Sequence, residues 1–183
     1  GHAIDDLLPT IAGRSPLASS ASIMLAPGQR DNNEPCLAMQ WRVPSIWVPH
    51  LCLIRRIPSH GPTTITLGLN GIHTVAGISE AGNAITSNEM HCNAAHLEGI
   101  PIPLLIDAAL SGPTVDDALQ RLQMYRCMGS RAVFVLNRDH HRASLEISAA
   151  NAVVLGDPMM DSPRVHTSHP LHQDFVNEKD RSY

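Results

Sequence analysis

Eleven histidines in 183 residues make imidazole the first chemistry to weigh, because it is both the commonest metal ligand and the usual general base at neutral pH. His166, His169 and His172 have HxxHxxH spacing. On a helix, positions i and i+3 converge while i+6 turns away, and Pro170 interrupts any helix there. Solvated or hydrogen-bonded histidines are therefore favoured over a metal cluster, and a histidine-based metal-binding protein stands as a minor alternative. His91, Cys92 and His96 mix ligand types but fall in an expected loop, and His140-His141 beside Asp139 fall at an expected hairpin tip. The four cysteines, Cys36, Cys52, Cys92 and Cys127, are widely spaced without a CxxC. They read as mostly buried thiols rather than a disulfide framework. Asp107 interrupts an apolar run and is expected on the exposed edge of its helix. Trp41 and Trp47 are expected to pack rather than to stack on a ligand. No GxGxxG, P-loop, GxSxG or HExxH is present, so no metal site or cofactor is assigned.

The elements that would position such groups follow from periodicity. Thr63–Asn88 reads as a β-meander: Thr63–Leu69 alternates hydroxyl and apolar residues, Asn70-Gly71 predicts a tight type I′ turn, Ile72–Ser79 returns, and Glu80–Asn83 turns into Ala84–Ser87. Upstream, 3–8 could end a helix, and 22–26, 37–43 and 50–56 read as strands, with Pro44 and Pro49 keeping the link between the last two irregular. Downstream the period changes. Pro101–Leu110 is apolar almost all round, which predicts a buried helix. After Gly112-Pro113, Thr114 is a good N-cap, and Asp116 and Asp117 favour the first turn of a second helix. Val115, Ala118, Leu119, Leu122 and Tyr125 line one face of it, and Gly129 is expected to end it. Strands resume at 132–137, 143–148 and 152–155, with one more at 165–167. Strands, two consecutive helices, then strands predicts an α+β protein with a mostly antiparallel sheet rather than a parallel nucleotide-binding fold.

Composition narrows the class. At 43% apolar and 16% charged residues, the chain is globular and large enough for one domain spanning 1–183, with a charged tail at 173–183 expected to fray. A net charge of −4 without a basic block argues against nucleic acid as a partner. The longest apolar run, 100–110, is too short to span a bilayer. Asp5 and Asp6 beside a short apolar pair do not read as a signal peptide, which favours an intracellular location. Oligomeric state is not indicated.

Several segments line up in order: Gly13-Arg14-Ser15; Gly28-Gln29 with Asp31-Asn32; the meander through Gly77, Ala81-Gly82 and Asn88; Gly99-Ile100-Pro101 opening the apolar helix; Pro113–Leu122; and Val165-His166-Thr167-Ser168-His169. Together they resemble the acyl-coenzyme A:6-aminopenicillanic acid acyltransferase family, also called peptidase family C45. Its members are N-terminal-nucleophile (Ntn) hydrolases with a four-layer αββα sandwich and about twice this length. The resemblance implies a partial αββα domain, a small-molecule acyl donor (an amide or a thioester such as acyl-CoA) and an amine or water acceptor, with no cofactor, nucleic acid or membrane. In that family self-cleavage between Gly and Cys frees the nucleophile, and its own α-amine is the base.

The departures from that pattern fall on its chemistry. Arg14 stands at the nucleophile position, and a guanidinium is not a nucleophile. Asn32 stands at the acidic position, unless the register slips to Asp31. Ser168 replaces the amide that helps hold the oxyanion. Ser79-Glu80 alters the polar pair in the meander, and Pro103 and Asp107 replace a His and an Arg. The resemblance therefore implies either a degenerate, inactive binding homologue or rescue by Ser15, freed by cleavage after Arg14. In the active case Ser15 attacks, Asn32 or Asp31 orients its amine, Ser168 lies near the oxyanion, and His166 and His169 contact substrate.

Overall fold

The computed structural model describes residues 19–25, 34–70, 73–90, 98–149, 151–156 and 163–175. In chain order the strands before the helices are β1 (Ser19–Leu25), β2 (Cys36–Arg42), β3 (Leu51–Arg56), β4 (Thr64–Leu69), β5 (His73–Ser79), β6 (Asn83–Glu89) and the short β7 (Ile100–Pro101). Helices α1 (Ile102–Leu110) and α2 (Val115–Met124) follow. The chain then forms the short β8 (Cys127–Met128), β9 (Arg131–Asn137), β10 (Arg142–Ile147), β11 (Ala152–Leu155) and β12 (Arg164–His166). Among the described residues no helix is long and apolar enough to cross a membrane.

Seven strands form an antiparallel sheet in the order β11-β10-β9-β6-β5-β4-β3, and three form a second sheet, β12-β1-β2. The meander strands β4, β5 and β6 lie side by side in the large sheet between β3 and β9, as the turns that join them require. Gly82 turns β5 into β6 at φ 91, a conformation that glycine adopts without strain. The other turn differs from expectation: Leu69 pairs with His73, so three residues separate the paired ends, and the register slips between Leu67 and Gly68. This bulge leaves Val75 without a partner of its own and changes which residues face the helices.

One face of the large sheet carries α1 and α2. Ile102, Leu105, Ile106, Ala109 and Leu110 recur at helical spacing and are buried with Ile85, Val133, Val135, Leu145 and Ile147. Each fully buried Leu or Ile stabilises by roughly 1.5–3 kcal/mol. Leu104 is exposed, so the apolar run has one buried face rather than burial all round. The Thr114 hydroxyl accepts from Asp117 N at 3.1 Å and caps α2 as predicted. The helix stops at Met124 rather than near Gly129. Tyr125 turns extended, and the chain pairs in parallel, β8 against β7.

The other face carries the small sheet. Met24 and the half-buried Leu37 pack on Phe134 and Leu136. Strand alternation thus gives β6, β9 and β10 two occupied faces, which explains why every residue of β9 is buried. Among the described residues, helices, large sheet and small sheet make three layers of an α+β sandwich in αββ order, mostly antiparallel.

Candidate functional site

Between the two sheets, polar side chains meet where β1, β6, β10 and β12 converge. Ser22 of β1 and Asn88 of β6 face each other, and the Ser22 hydroxyl donates to Asn88 Oδ1 at 2.8 Å. Asn88 Nδ2 donates to the carbonyl of His166 at 3.2 Å. These two bonds fix the orientation of the amide, since exchanging its oxygen and nitrogen would break both.

His166 continues the chain. Its Nε2 lies 3.0 Å from Glu146 Oε1, and neither side chain is exposed. The backbone N–H of Ser168 donates to His166 Nδ1 at 3.3 Å. Nδ1 is therefore the acceptor, and the ring proton sits on Nε2, aimed at the carboxylate. Glu146 also accepts from the N–H of Leu171 and, at 2.8 Å, from the N–H of His172. Burial alone would raise its pKa, but the His166 and backbone donors outweigh burial and hold the carboxyl below its ordinary value. The turn after β12 is thus tied down on both sides, with Ser168 at φ 68 between the ties.

The small sheet covers only part of the large one. Where cover ends, β2 and the exposed flank of β3–β6 enclose an open cleft of about 520 Å³. Met39, Trp41, Leu53, Ile65, Leu67 and Ile78 give it apolar walls. Thr86 lines it too, and is buried, with a hydroxyl that has no hydrogen-bond partner among the described residues. Asn88 follows two residues along the same face of β6, roughly 7 Å further in. The cleft therefore runs along one strand towards the polar chain.

Ser168 and His166 come together here. Arg14, Ser15, Asp31 and Asn32 lie outside the described residues, as do His91, Cys92 and His96. His169 is exposed, with Nδ1 3.0 Å from the carbonyl of Thr167. His172 faces Asp174 at 3.6 Å, so the three histidines of the HxxHxxH run turn to different partners. No group of three His, Cys, Asp or Glu side chains that could hold a metal is found among the described residues. His140 and His141 are exposed at the β9–β10 turn. Cys127 is a buried free thiol, while Cys36 and Cys52 are free and half-buried. Trp41 lines the cleft, and Trp47 lies half-buried in a 3-10 turn at Ser45–His50.

Asp107 corrects the expectation of an exposed helix edge. It points at the sheet, 3.0 Å from Arg56, and accepts from the Thr74 hydroxyl at 2.8 Å. Burial raises its pKa against the pull of Thr74 and Arg56. Sequence reasoning missed Glu146 and Ser22. For Glu146 the available signal was a lone carboxylate in the expected strand 143–148, whose other residues are apolar or hydroxyl, where a charge needs buried partners.

No family model matches the chain, and no curated protein matches it by sequence. Among solved structures, the Caenorhabditis elegans N-acylethanolamine-hydrolyzing acid amidase (NAAA) ortholog superposes with a TM-score of 0.58 at 12% identity. That likeness covers 89% of this chain and 73% of the other. The fold is Ntn-hydrolase-like. Penicillin V acylase from Agrobacterium tumefaciens is a more distant likeness, with a TM-score of 0.41, 12% identity, and cover of 82% of this chain and 42% of that one.

Proposed function

We propose that the protein is built for amide hydrolysis or acyl transfer of the penicillin acyltransferase (C45) kind, on a small molecule with an apolar acyl group. The observation that supports this most is the cleft: apolar walls lead along β6 to the unpartnered Thr86 hydroxyl, with Asn88 buried two residues further along the same strand. An apolar acyl chain would fill the walls, and the Thr86 hydroxyl would meet the polar end that an alkane lacks. The amidase named among the fold neighbours agrees in kind.

In this reading cleavage after Arg14 frees Ser15, four residues before β1 begins. Its α-amine, oriented by Asn32 or Asp31, takes the hydroxyl proton. The oxygen bonds to the acyl carbon, the C–N or C–S bond breaks, and the amine or thiol leaves with a proton. Water or a second amine then takes the acyl group. Ser168 would lie near the oxyanion, with His166 and His169 towards substrate. Acyl-CoA is a candidate donor, and the partners are small molecules rather than nucleic acid or membrane.

A second reading is an inactive homologue that keeps the pocket. Arg14 at the nucleophile position favours it, and so does His166, whose two ring nitrogens are both engaged. One experiment separates the two. The full chain is incubated with chromogenic phenylacetyl and octanoyl anilides, and with acyl-CoA plus an amine, while intact mass is followed. Two chains split before Ser15 together with acyl release support the enzyme. A single intact chain that binds the anilides calorimetrically without turnover selects the binding protein.

A further inference from the structure

We infer that Glu146 is a positioning residue for this site, resting on the acyl-transfer reading above. Three donors converge on one fully buried carboxylate: His166 Nε2 at 3.0 Å, the N–H of Leu171 and the N–H of His172 at 2.8 Å. One donor precedes the turn after β12 and two follow it, so the carboxylate closes the turn like a clasp. Ser168 sits inside that clasp at φ 68, a conformation costly for a serine and kept only where its surroundings impose it. The N–H of Ser168 bonds to His166 Nδ1, which is free to accept only while Nε2 carries the proton for Glu146. The His166 carbonyl in turn receives Asn88 Nδ2, and Asn88 receives Ser22. A single carboxylate on β10 thereby sets the tautomer of His166, the backbone of Ser168 and, through the carbonyl of β12, the amide of Asn88. None of these bonds uses Glu146 on a substrate, so its effect is on geometry alone.

Glutamine is the discriminating substitution. Its amide satisfies all three donors in neither orientation: with the carbonyl in place of Oε1 it accepts from His166 and Leu171 while its NH2 faces the N–H of His172, and reversed the NH2 faces His166 and Leu171 as a donor against donors. Glu146→Asp keeps the charge and serves as the rescue. Three readouts are taken on the full chain: amide hydrogen exchange, the 15N shifts of the His166 ring, and kcat and KM on a chromogenic acyl anilide. Glu146→Gln should speed exchange at Leu171 and His172 and mix the His166 tautomers. It should lower kcat by on the order of tenfold to a hundredfold at near-constant KM, as sub-ångström misplacement does. Glu146→Asp should restore the single tautomer and part of kcat. Unchanged exchange and an unchanged tautomer in Glu146→Gln would overturn the clasp. A loss confined to KM, or one that follows stability alone and is not relieved by Glu146→Asp, would overturn the positioning role. If the wild type releases acyl from no anilide, that counts against the acyl-transfer reading, and the exchange and 15N readouts still decide the clasp.

Discussion

His166 Nε2 and Glu146 Oε1 stand 3.0 Å apart, both wholly shielded from solvent between the two sheets. A buried carboxylate with three donors is stable only while all are present. Glu146→Ala should therefore cost roughly 3–5 kcal/mol, because His166 and two N–H groups lose their acceptor. His166→Ala should cost a similar amount by leaving the carboxylate short of one donor. The double variant should be less destabilised than the sum by on the order of 2 kcal/mol, measured as a cycle in urea. Strict additivity would mean that the pair is not coupled.

A second buried pair predicts how stability changes with pH. Glu89 and Arg131 lie 3.9 Å apart on β6 and β9, both buried. Burial, only partly opposed by Arg131, raises Glu89 from 4.5 to about 7. The folded chain therefore takes up a proton between pH 7 and 4.5 that the unfolded chain does not. Stability should rise as pH falls through that window, by up to about 3 kcal/mol from this group. Urea unfolding at pH 8 and pH 5 measures the difference, and Glu89→Gln should flatten it. Below 4.5 the sign reverses, because Glu146 has a lowered pKa and its stabilising charge is lost as pH falls through that folded value.

The meander shows what was legible from residues alone. Thr63–Leu69 alternates hydroxyl and apolar residues because the two faces of β4 meet different surroundings, and Gly82 and Thr114 mark a turn and a cap by local chemistry. Local signals of that kind survive folding unchanged. The end of α2 was not legible, since Met124 is the last helical residue only because the following segment pairs with β7, far away in sequence. Asp107 was misplaced for the same reason, as its partners Arg56 and Thr74 lie on β3 and β5. Within the site, Ser168 and His166 were found through a resemblance. Glu146 was not, because its partners lie on β12 and the turn that follows it.

Close packing of helix on sheet gives a further prediction. Gly77 of β5 faces α1, and a Cβ there would meet Leu110 Cδ1 at 2.5 Å, Thr66 Cγ2 at 2.9 Å and the Ile65 carbonyl at 3.0 Å. The leucine can turn away, but the carbonyl cannot. Gly77→Ala should destabilise by roughly 1–3 kcal/mol, and Gly77→Val by more. Thermal unfolding tests this, and an Ala variant as stable as wild type would show that α1 can shift outward.

Thr86 separates a structural hydroxyl from one kept for a ligand. Its Oγ1 is buried and has no partner among the described residues, so in the free protein it carries a desolvation cost with no bond in return. Thr86→Val keeps the shape and removes that cost. The variant should be as stable as wild type or more stable, by up to about 1 kcal/mol. If the hydroxyl meets the polar end of an acyl amide, the same change should weaken binding of octanoyl anilide about fivefold or more, since one hydrogen bond is worth on the order of 1 kcal/mol. Leu53→Asp, on the exposed wall of the cleft, should weaken the same probe through its apolar tail. Calorimetric titration with octanoyl anilide and with octane-length alcohols separates the two effects. Thr86→Val that loses stability and leaves the affinity for both probes unchanged would assign the hydroxyl to the fold and leave the cleft without its polar end.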